Sequence, residues 1–142
     1  MPKNKGGNEM KQYVRTLCVL SIAVFSLTSL VMADEINFSK AEICKACIAT
    51  VMFKDPDIIR IDKIKDQIVY LSYVKPTEKK RWAYRCKISG NTIIWASDKG
   101  RWRNSQYDPK ITYKIDGENI LIKERHSDGS GREKSFSFKE LN

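Results

Sequence analysis

The chain has 142 residues, of which 26 are Lys or Arg, 17 are Asp or Glu, four are Cys and one is His, for a formal net charge of +9. Zinc asks for four thiolate or imidazole ligands, so one histidine and scattered cysteines argue against a metal centre. No P-loop, G-x-G-x-x-G or G-x-S-x-G occurs, which removes the common nucleotide-binding and acyl-transfer signatures.

The first segment reads as a targeting signal. Lys11 and Arg15 precede an apolar run from Leu17 to Met32, which closes on "LVMA" before the acidic pair Asp34 and Glu35. An apolar stretch of about 14 residues with Val31 at −3 and Ala33 at −1 predicts a signal peptide over residues 1–33. A membrane span needs about 20 apolar residues, so an uncleaved anchor is the weaker alternative. Met10 is a second candidate start, and no cysteine follows the cleavage point to carry a lipid. Residues 34–142 would then form one domain of 109 residues, with 22 Lys or Arg against 16 Asp or Glu and a net charge of +6. That balance suits an anionic partner, and plain solubility is the competing explanation.

A helix comes next. Ser39 and Glu42 make an S-x-x-E capping box, and Phe38 with Ile43 supply a hydrophobic staple. The helix is predicted from Lys40 to Phe53, ending before Pro56.

Everything after Pro56 reads as strands. In "RWAYRCKI" Trp82, Tyr84, Cys86 and Ile88 alternate with Arg81, Ala83, Arg85 and Lys87. Strands are predicted over residues 58–64, 67–74, 81–89, 92–97, 110–116, 119–126 and 132–138, separated by polar turns such as "SGN" and "DGEN". The recurrence of "IKDQIVY", "ISGNTIIW" and "IDGENILI" is explained by three tight hairpins. The expected fold is therefore α+β: the N-terminal helix packed on one face of a five- to seven-stranded antiparallel meander, as two layers.

The long connection "SDKGRWRNSQYDP" is a candidate functional loop. It carries Arg101, Trp102, Arg103 and Tyr107, a combination that stacks on rings and grips anions. Arg81, Arg85 and Lys87, with Lys114, Lys123 and Arg125 on neighbouring strands, are expected to line the open sheet face as a basic stripe.

Reactive chemistry finds little support. His126 lies at a strand end beside Ser127 and Asp128, but sequence neighbours on a strand point to opposite faces and do not assemble a triad. The C-x-x-C formed by Cys44 and Cys47 sits beyond the first turn of the predicted helix, where the dipole does not lower a thiol pKa. Side chains three apart on a helix are ~5–6 Å apart at Cβ, too far for a relaxed disulfide. On a helical wheel Cys44 lies about 10° and Cys47 about 70° from the mean apolar direction. Cys86 points to the face the helix must cover, so the predicted cross-link is Cys44–Cys86, contributing ~4 kcal/mol on the chain-entropy account. Cys47 is left as a free thiol.

These readings describe a small exported, periplasmic or secreted, non-catalytic binding or accessory protein of the cell envelope. The expected partner is an envelope protein or anionic polymer, without cofactor, nucleic acid or a stable membrane span after cleavage. The alternatives are an inhibitor-type domain that uses the Trp102 loop and a thiol redox protein that uses Cys44 and Cys47.

Overall fold

A computed structural model describes residues 36–142, so the signal peptide expected over residues 1–33 lies outside the described residues. The first element is the helix that the capping box announces: α1, Lys40–Val51, with Ser39 as N-cap. The Glu42 N–H donates to Ser39 Oγ at 3.3 Å, and the Ser39 N–H donates to the Glu42 carboxylate. Two helix-end N–H groups are thereby satisfied. The helix stops short of Phe53, which adopts a left-handed backbone with φ 53°. The Lys54 N–H closes on the Ala49 carbonyl at 3.0 Å, so the chain leaves the helix before Pro56 is reached.

Seven strands follow: β1 (Arg60–Lys65), β2 (Ile68–Lys75), β3 (Lys80–Ser89), β4 (Thr92–Ser97), β5 (Lys110–Asp116), β6 (Asn119–Arg125) and β7 (Gly131–Ser137). Each pairs with the next, antiparallel and in sequence order. Val69, Leu71 and Tyr73 stand opposite Cys86, Tyr84 and Trp82, so the alternation in "RWAYRCKI" resolves into a covered face and an open one. At the β1–β2 turn Asp66 and Gln67 both have positive φ, 52° and 64°, as a type I′ hairpin requires.

The expected two-layer α+β class is corrected by this architecture. The described residues are mostly an antiparallel sheet of seven strands, with α1 as the one helix beyond a single turn; the other, α2 (Phe138–Leu141), has four residues. Nor does α1 lie on a flat layer. It touches β1, β2, β3, β4, β6 and β7, so both ends of the meander come round to it.

The reason lies in the helix's small side chains. Seven of its twelve residues are buried, including Ala46, Cys47 and Ala49. On a helical wheel these buried positions cover about 260°, far wider than the single stripe of a surface helix. Alanine and cysteine let strands approach on sides that a one-stripe reading assigns to water.

Ile48, Leu71, Ile93, Ile111, Ile120 and Phe136 fill the space between helix and sheet, each at most 2% exposed. Cys44 and Cys86 are joined, linking α1 to β3 with 5.8 Å between their Cα atoms. The short α2 is a second capping box, Ser137 with Glu140, which the sequence reading extends as strand. It buries Leu141, whose carbonyl accepts from Lys45 Nζ at 2.9 Å.

Candidate functional site: the loop between β4 and β5

Residues between β4 and β5 return over the open face of β3 and β4. The Asp98 N–H donates to the Ala83 carbonyl at 2.9 Å, and the Arg103 N–H donates to the Trp95 carbonyl at 2.8 Å. Ala96 alternates onto the open face opposite Arg85, yet it is fully buried beneath this return. The Trp102 ring lies 4.8 Å from the Arg85 guanidinium carbon and 4.5 Å from Lys87 Nζ, so two predicted cations of the stripe hold the predicted aromatic of the loop. Arg85 also donates to the Gly100 carbonyl. Loop and sheet face, read separately in the sequence, are one surface.

A single carboxylate closes the loop. Asp108 accepts from Arg101 Nη1 at 2.7 Å and Nη2 at 2.8 Å, and from Ser105 N–H at 2.9 Å and Oγ at 2.7 Å. Its side chain is only 5% exposed, and Arg103 Nη1 stands 3.8 Å away. The Arg101 hydrogen bonds first, and those from Ser105 next, hold the Asp108 carboxyl well below the usual carboxylate range. The sequence reading missed Asp108. Its signal is an S-x-x-D turn, Ser105 to Asp108, placed among arginines and stopped by Pro109.

No protein-family model, curated protein or solved structure matches this chain. Function must therefore be argued from charge and geometry.

The charge is not spread evenly. Residues 34–79 hold eight Lys or Arg and eight Asp or Glu; residues 111–142 hold six and six. Residues 80–110 hold eight against two, so the whole net charge of +6 in residues 34–142 falls on β3, β4, the loop and the first residue of β5.

The remaining stripe residues are neutralised locally. Arg81 pairs with Asp62 at 2.8 Å, and Lys123 and Arg125 reach Glu133 at 2.9 and 3.3 Å. Arg81, Lys123 and Arg125 thus do not extend the basic face, which narrows to Arg85, Lys87 and the loop. Tyr107, at 81% exposure, is the loop's outward aromatic, whereas Trp102 is half-buried.

The cysteines occupy the other side of the sheet. Cys44 is bound to Cys86, and Cys47 is a buried free thiol whose pKa is pushed up, mainly by burial and further by the Glu124 charge. Glu124 is itself buried, with Arg132 Nε 2.6 Å from its Oε2. The contact is close but off the hydrogen-bond line, leaving that oxygen and Arg132 Nη1 without hydrogen-bond partners. At the β6–β7 turn Asp128 accepts from Ser130 N–H at 2.9 Å and Oγ at 2.6 Å, which commits that carboxylate to its own turn. His126 beside it is exposed.

Proposed function

We propose that this chain is a small exported, non-catalytic binding or accessory protein of the cell envelope, which holds an anionic partner on the face made by β3, β4 and the loop. One observation carries the reading: residues 80–110 hold the entire net charge, while the segments on either side are each neutral. A field concentrated in this way attracts polyanions and acidic surfaces at long range and weakens with salt. The Cys44–Cys86 cross-link is compatible with a periplasmic or extracellular location. No described helix is long and apolar enough to cross a membrane.

The test is retention on immobilised heparin and on lipopolysaccharide vesicles across a salt gradient. Replacing Lys87 and Arg103 by Glu should move elution to much lower salt. Replacing Lys65 and Lys139, which lie in the neutral segments, changes net charge identically and should move it little. Equal shifts from both pairs, or no retention of the parent protein, would refute the reading.

A second reading, a protein-binding domain that presents the loop, is favoured by the exposure of Tyr107 beside Arg101 and Arg103, since Tyr and Arg recur as interface anchors. A pull-down from envelope extract with Tyr107→Ala tests it; an unchanged set of partners would remove the loop tip from consideration.

A further inference from the structure

β4 and β5 are paired only at Thr92–Thr112 and Ile93–Ile111, and beyond these they part. The gap between the strands and the returning loop is a cleft of about 490 Å³, within the range of small-molecule sites. Ile93, Ile94, Ile111 and Pro109 give it an apolar floor, and Arg103 and Lys110 stand on its lining.

These two cations are the least committed in the loop. Lys110 makes no ion pair among the described residues. Arg103 comes no nearer than 3.8 Å to Asp108, whose oxygens already accept from Arg101 and Ser105. The cleft is not shaped for an added peptide strand, because the Arg103 N–H already takes the Trp95 carbonyl on that edge of β4.

We infer that this cleft binds a single-chain anionic amphiphile, with its apolar body against Ile94 and Pro109 and its carboxylate or phosphate head on Arg103 and Lys110. The inference rests on the anionic-partner reading and narrows it from a surface to a site. An apolar floor rewards a hydrocarbon body whatever its head, and the two cations make the head's charge decide affinity.

The test titrates protein expressed from the full chain with decanoate, below its micelle concentration, and with decanol, alongside retention on heparin. Decanoate should bind with one-to-one stoichiometry and decanol about tenfold more weakly, the worth of one charge-assisted contact. Arg103→Ala should weaken decanoate about fivefold, with recovery in Arg103→Lys. Ile94→Trp, which fills the floor, should abolish decanoate binding and leave heparin retention unchanged.

Heparin retention without decanoate binding would overturn the cleft site and leave the basic-face reading standing; loss of both would overturn both. Equal affinity for decanol, or decanoate binding that survives Ile94→Trp, would also refute the site. Should Ile94→Trp lose heparin retention as well, the Arg103 pair of variants decides.

Discussion

Around α1 the chain is held by burial and one covalent bond, whereas the loop between β4 and β5 is held mostly by polar contacts that converge on the Asp108 carboxylate. The two regions meet at β3, whose covered side carries Cys86 and Tyr84 and whose open side carries Arg85 and Lys87. The contrast teaches that stability and binding are separable here. Changes beneath the sheet should unfold the protein, and changes above it should alter recognition without unfolding.

The largest expected effect comes from the covalent side. Replacing both Cys44 and Cys86 by Ala opens a cross-link that spans 42 positions and should cost ~4 kcal/mol, read as a drop of roughly 15–25 °C in the thermal midpoint. A drop of only a few degrees would show that burial alone holds the helix, and the contrast between the two regions would lose its main support.

Cys47→Ala should cost about 1 kcal/mol, the loss of one small buried group, and should leave heparin retention as it is. Loss of binding in that variant would connect the buried thiol to the open face and break the separation. It would also revive the redox alternative for the C-x-x-C pair.

The smallest effect on global stability is expected at Asp108. Asp108→Asn should shift the thermal midpoint by less than about 2 °C, since exposed ion pairs contribute little. The loop itself should respond more, with faster hydrogen exchange at the Arg103 amide, whose partner is the Trp95 carbonyl.

The pH dependence of loop closure follows from the depressed Asp108 carboxyl. A carboxylate with a lowered folded pKa contributes stability that is fully present above its unfolded value, about 3.9, and that is lost as pH falls through the folded value. Trp102 fluorescence should therefore stay flat from neutral pH down to about pH 4 and change only in stronger acid. A transition near neutral pH would mean that another group closes the loop.

Much of this protein is legible in the order of its residues alone. The capping box at Ser39 and Glu42, the strict alternation in "RWAYRCKI" and the turn residues between strands are local signals, each fixed by neighbours a few positions away. The Cys44–Cys86 link is legible too, because helix phase and strand alternation each assign a side chain to a face without knowledge of the whole. Trp102, Arg101, Arg103 and Tyr107 stand out by composition, although composition does not say which ring stays outside.

Only the tertiary structure decided what depends on distant segments. A helix with Ala46, Cys47 and Ala49 on its flanks reads as having one apolar stripe until strands from both ends of the sheet are seen to enclose it. The stripe of cations reads as continuous until Asp62 takes Arg81 and Glu133 takes Lys123 and Arg125. Ion pairs between strands depend on register and on which faces meet, and no run of neighbouring residues records either.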